Sequence, residues 1–122
     1  MYKLEDLEVY KLSVEIRKDF SNFSKTLPVE ERYRLKDQII RASRSVTANI
    51  AEGYGRFHFQ ENIQFCRQAR GSLFELKDHL SVAMEELYIN KDDFENKIKK
   101  IEFVIAKMNG YIKYLKNQKN KS

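Results

Sequence analysis

At 122 residues the chain is long enough to bury one core and short for a second, so a single domain spanning residues 1–122 is expected. Its 42% hydrophobic and 34% charged residues, with four glycines and one proline, suit long amphipathic helices and speak against a turn-rich β-sandwich. A net charge of +5 admits an anionic partner such as nucleic acid, although a solvated lysine face gives the same balance.

The first apolar stripe runs Val9, Leu12, Ile16, Phe20, Phe23, Leu27, with the three- and four-residue spacing of one helix face, and predicts a helix over roughly 6–26. Pro28 interrupts it and suits the first turn of the next helix, where Glu30 and Glu31 meet the positive end of the dipole. That second helix, roughly 29–52, carries Leu35, Ile39, Ala42, Val46 and Ile50, and Gly53 and Gly55 are placed to cap it in the left-handed conformation. The short connection beyond holds Tyr54, Phe57 and Phe59, where polar residues are usual, so these aromatics are expected to pack on a neighbour.

The third helix, roughly 59–88, opens at His58 with Glu61 as its reciprocal capping partner and carries Phe65, Ala69, Leu73, Leu76, Leu80, Ala83 and Leu87. Gly71 in its middle costs about 1 kcal/mol against alanine, so close approach to Ala42, Ala48 and Ala51 is expected there. Asn90 caps the fourth helix, roughly 91–116, with Asp92 and Asp93 in the first turn and a stripe from Phe94 to Leu115. Residues 116–122 have nothing to bury and are expected to fray. Four such helices joined by short loops cover their stripes as an all-α, up-down-up-down antiparallel four-helix bundle.

Cys66 is the sole cysteine, the N-terminus begins acidic, and no run of about twenty apolar residues exists. A cytoplasmic protein without signal peptide, disulfide or membrane span is expected. A di-metal centre needs Glu-x-x-His on two helices, whereas Glu75 precedes His79 by four places and the predicted core is aliphatic, so neither metal nor cofactor is expected. Cys66 borders the apolar stripe with no base beside it, and the Gly53–Gly55 pair follows a helix C-terminus rather than opening one, so no enzyme is expected.

The second helix also embeds Gln38, Arg41, Asn49 and Glu52, followed by Arg56, among its apolar positions. Asn49 falls near the seam and needs a partner, with Arg41 or Glu52 as candidates; the set reads as a polar network or subunit contact ahead of a ligand site. Positive charge concentrates at Arg41 and Arg44, at Arg67 and Arg70, and along the acid-free stretch Lys107, Lys113, Lys116. Tyr111 and Tyr114 interleave with those lysines, which fits stacking beside phosphate neutralisation and equally fits a snorkelling lysine face.

The segments Asp6-Leu7-Glu8-Val9-Tyr10-Lys11-Leu12, Asn49-Ile50-Ala51-Glu52-Gly53, Gly71-Ser72-Leu73 and Gly110-Tyr111-Ile112-x-Tyr114-Leu115 resemble the 23S ribosomal RNA intervening-sequence protein family across nearly the whole chain. The resemblance extends to the accessory variability determinant of diversity-generating retroelements. It implies a homopentameric four-helix bundle, with RNA or DNA and a protein such as a reverse transcriptase as partners and no enzymatic activity. Two positions depart from the pattern: His58 replaces a common serine cap and Asn62 a common aromatic. A rival expectation is a purely structural interaction module docking through Tyr54, Phe57 and Phe59.

Overall fold

A computed structural model describes residues 3–121, and all its regular elements are helical. α1 spans Glu8–Ser24, α2 Leu35–Gly55, α3 Phe59–Glu85 and α4 Lys91–Lys121; short 3-10 turns cover Leu4–Asp6 and Val29–Glu31. Pairs between neighbours run in opposite senses along the chain. Ser45 meets Ser72 and Gly53 meets Asn62 across α2 and α3, Arg70 meets Asn109 and Lys77 meets Glu102 across α3 and α4, and Lys107 reaches Glu8 while Lys97 reaches Asp19 across α4 and α1. The architecture is the expected antiparallel bundle; of the four adjacent helix pairs, α2 and α3 are in the most extensive contact and α1 and α4 in the least.

Each helix turns the anticipated stripe inward, with one exception: α3 ends at Glu85 rather than near residue 88, and Leu87, expected on its stripe, is exposed in the turn beyond, where a φ of 63° reverses the chain. Phe20, Ile39, Val46, Leu73, Leu76, Leu80, Ile101 and Met108 are fully enclosed, and apolar burial of this extent is the main term holding four amphipathic helices together. Buried hydroxyls are satisfied within their own helices, Ser13 donating to the Val9 carbonyl at 2.7 Å and Ser43 to that of Ile40 at 3.0 Å.

Several helix ends differ from expectation for local reasons. Pro28 launches only a 3-10 turn, and α2 begins at Leu35, whose N–H is accepted by Glu31 Oε1 at 3.4 Å. The acid expected inside the first turn instead caps the helix from outside it. At the other end, neither Gly53 nor Gly55 adopts positive φ; α2 continues through both, and the chain reverses at Phe57 (φ 58°). The close approach assigned to Gly71 is likewise elsewhere. Gly71 has open space around its Cα, whereas a Cβ on Gly53 would lie 2.8 Å from Asn62 Oδ1 and from Phe65 Cβ. Of the alanines expected opposite Gly71, Ala42 is buried and Ala48 exposed.

His58 makes no capping bond through its side chain, and Glu61 pairs with Arg56 at 3.5 Å rather than closing a capping box. Asn90 caps α4 as expected: its Oδ1 accepts the Asp93 N–H at 2.8 Å, and its amide donates to Asp93 Oδ2 at 3.2 Å. Beyond Leu115 the helix persists to Lys121. Lys119 and Lys121 complement the negative end of the dipole, and Lys119 also donates to Gln60 on α3, giving the tail a tertiary contact that no apolar periodicity announces.

Candidate functional site

The polar network of α2 is built from different partners than expected. Asn49 is half-buried, and its amide donates to the carbonyl and the hydroxyl of Ser45, both at 2.9 Å; that hydroxyl accepts from Ser72 on α3 at 2.9 Å. Arg41 instead pairs with Asp37 at 3.1 Å on the exposed face, and Gln38 is exposed. Glu52 and Arg56 do hold helical i,i+4 geometry at 3.2 Å, because α2 runs past the glycines; with Glu61 they form a surface chain across the α2–α3 turn. Ser45 and Ser72 were legible only as small residues flanking the seam, Ser45 one helical turn before Asn49.

At this same turn the structure gathers the aromatics. Tyr54 from the end of α2, Phe57 from the turn and Phe59 from the start of α3 line a cleft of about 640 Å³, joined by Tyr111, Tyr114 and Leu115 of α4. Asp6, Leu7 and Glu8 close its far wall. Tyr111 and Tyr114 stack with ring centroids 6.2 Å apart and planes 14° off parallel. Tyr114 remains 54% exposed and Phe57 87%. Asn62, the departure from the aromatic pattern, is buried beside the cleft and donates to the Tyr111 hydroxyl at 3.3 Å, while its Oδ1 accepts from the Cys66 thiol at 3.5 Å. Asn62 thus forms a polar bridge between α3 and α4, with its amide and its carbonyl both satisfied.

Burial raises the Tyr111 phenol above its usual range, against the opposing effect of the Asn62 hydrogen bond, and burial pushes the Cys66 thiol up to about 12. Both groups are protonated at neutral pH. Cys66 is a packing residue here, as its stripe position suggested.

The basic residues divide between two seams and the outer face of α2. Arg67 and Lys116 line one groove between α3 and α4 together with Lys119, Gln60 and Ile63, and one turn further along α3 Arg70 donates to Asn109 of α4 at 2.8 Å. Lys113 is exposed on the same helix. Among the described residues Arg67, Lys113 and Lys116 have no carboxylate partner. Lys107, grouped with them by sequence, points to the opposite seam and pairs with Glu8 at 3.0 Å. Arg41 and Arg44 lie on the exposed face of α2, away from the α3–α4 groove. No cluster of three or more metal-ligating side chains occurs among the described residues, and no helix is long and apolar enough to cross a membrane.

An all-helical antiparallel bundle with an aromatic cleft at one end and a cationic groove along one seam defines the class of protein. The chain belongs to the 23S rRNA-intervening sequence protein family, whose pattern matches residues 5–110. Its backbone is similar to the crystal structure of a protein of unknown function from the S23 ribosomal protein family of Bacteroides thetaiotaomicron VPI-5482, with a TM-score of 0.78 and 23% identity. That likeness covers 86% of this chain and 98% of the other, and at this identity it bears on the fold alone. No curated protein matches the sequence.

Proposed function

We propose that the chain is a non-enzymatic, homo-oligomeric cytoplasmic protein that associates with RNA through the α3–α4 face, with a copy number of five following the family resemblance. The observation that carries this reading is the groove near the C-terminal end of α4. Lys97 and Lys107 are tied to Asp19 and Glu8, and Lys77 to Glu102, while Arg67 and Lys116 converge on one groove with Lys113 beside it, all three exposed and without a carboxylate partner among the described residues. Cations neutralised within the fold release nothing when an anion arrives, whereas solvated ones displace condensed counterions from a phosphate backbone. Arg70 is oriented by Asn109 and extends that surface.

Filter binding to a structured RNA between roughly 50 and 200 mM salt tests it, because log affinity then falls linearly with log salt. Replacing Arg67 and Lys116 by alanine lowers that slope by about one for each phosphate no longer neutralised. An affinity indifferent to ionic strength, or absent at low salt, removes the reading. A second reading is favoured by the exposure of Phe57: the cleft docks protein, either another copy or a partner such as a reverse transcriptase. Polar replacements of Tyr54, Phe57 and Phe59 that lower the mass in light scattering would place the cleft between copies; an unchanged mass would leave it open to other ligands.

A further inference from the structure

The geometry points to the aromatic cleft as a pocket for one unpaired nucleobase, guanine above others, of a single strand whose phosphates pass over α4 to the cationic groove. This assignment rests on the RNA reading above. A helix turns about 100° per residue, so consecutive α4 positions distribute around its circumference. Tyr111 and Tyr114 face the cleft, the exposed Gly110 lies on the outer surface, Lys113 is exposed one turn before Lys116, and Lys116 sits in the groove with Arg67. A side chain at Gly110 would meet no neighbouring atom within 4 Å, in keeping with its place on the outer surface of the helix. Stacking rings beside unpaired cations are the two components of single-strand recognition, and here one helix supplies both.

The cleft's own carboxylates set the orientation. Glu8 is paired with Lys107, but the Asp6 carboxylate has no partner among the described residues. It repels phosphate and so directs the backbone away from the wall, while its two oxygens accept paired N–H donors. Guanine presents two adjacent donors, its ring imino and exocyclic amino groups, on one edge. Adenine and cytosine place a lone pair beside their amino group, and uracil flanks its imino group with carbonyls, so a carboxylate discriminates against all three. The stacked Tyr111–Tyr114 pair presents Tyr114, still half exposed, to a planar ligand.

Fluorescence anisotropy with a short oligouridine carrying one guanosine, beside a duplex RNA of equal length, tests the assignment. Tyr114→Ala, at a surface position where folding is not at stake, is expected to weaken single-strand binding at least about fivefold and leave duplex binding unchanged, while Tyr114→Phe retains both. Asp6→Asn is expected to erase the preference for guanosine over adenosine at that position. Unchanged single-strand affinity in Tyr114→Ala, or an equal loss on the duplex, overturns the pocket; if duplex binding keeps its salt slope, the RNA reading survives alone. Binding of neither RNA at low salt overturns both. A fall in mass of Tyr114→Ala by light scattering makes the cleft a contact between copies and also overturns the pocket.

Discussion

Phe57, between α2 and α3, and Leu87, between α3 and α4, are bulky residues in the left-handed region, with φ of 58° and 63°, and each is 87% exposed. The backbone device is the same at both ends of α3, yet the surroundings differ. Around Leu87 the chain is closed by directed polar contacts: Tyr88 donates to Glu31 at 2.9 Å, Asn90 caps α4, and Lys97 pairs with Asp19 at 2.9 Å while lying over the Phe20 and Phe23 rings. Around Phe57 the first turn of α3 has no side-chain cap, and the turn borders an open aromatic cleft. The Phe57 turn has polar contacts too, the Glu52–Arg56–Glu61 chain crossing it on the surface, but beside them ring faces are left in water. Strained backbone next to an open aromatic cleft is what makes the Phe57 end the candidate for the recognition proposed above.

The sharpest way to break that comparison is to disturb the shape that holds the cleft end. Gly53→Ala forces a Cβ to 2.8 Å from Asn62 Oδ1 and Phe65 Cβ, and to 3.2 Å from the Asn62 Cα, which is backbone and cannot swing aside. Urea denaturation is expected to show a loss of about 1–3 kcal/mol, as for overpacked cores. Gly71→Ala, on the open face of α3, is expected to change stability in the opposite direction by about 0.5–1 kcal/mol, because only helix propensity changes. Equal effects at the two glycines would dissolve the claim that α2 and α3 lock together at Gly53.

The caps sharpen it next. Asn90→Ala removes an observed cap and is expected to cost about 1 kcal/mol, whereas His58→Ser introduces a capping hydroxyl where none acts and is expected to gain about 0.5 kcal/mol or more. Thermal unfolding midpoints moving in opposite directions are the readout. A cost at His58 similar to that at Asn90 would show that the histidine supports the turn by another route.

Those residues also show what the sequence could and could not reveal. Asn90 was legible because a cap and its first-turn acids are local chemistry, and the stripes from Val9 to Leu115 were legible because burial imposes a helical period. Gly53 was misread for a general reason: glycine permits both a left-handed cap and a close helix contact, and only the tertiary partner, here Asn62 and Phe65, decides which. The cleft was half legible. Tyr54, Phe57 and Phe59 announced themselves in the turn, but their union with Tyr111 and Tyr114 depends on α4 running antiparallel past that turn, a long-range fact with no local signal. Lys107 failed in the reverse manner: it clusters with Lys113 and Lys116 along the chain, and helical phase sends it to Glu8 on the other seam.

The smallest expected effects come from the two left-handed residues themselves, and they separate strain from use. A side chain at positive φ costs about 1–2 kcal/mol, and the freer unfolded state of glycine offsets part of the relief, so Phe57→Gly and Leu87→Gly are each expected to gain about 0.5–1 kcal/mol in urea denaturation. The stability gains should match, because both residues are equally exposed and neither buries its ring or branch. Binding should not match. If the cleft recognises a base, Phe57→Gly weakens the guanosine-bearing single strand while Leu87→Gly leaves it untouched, so one variant trades affinity for stability and the other simply gains. Equal binding by both would show that the strain at Phe57 serves only to reverse the chain, as it does at Leu87.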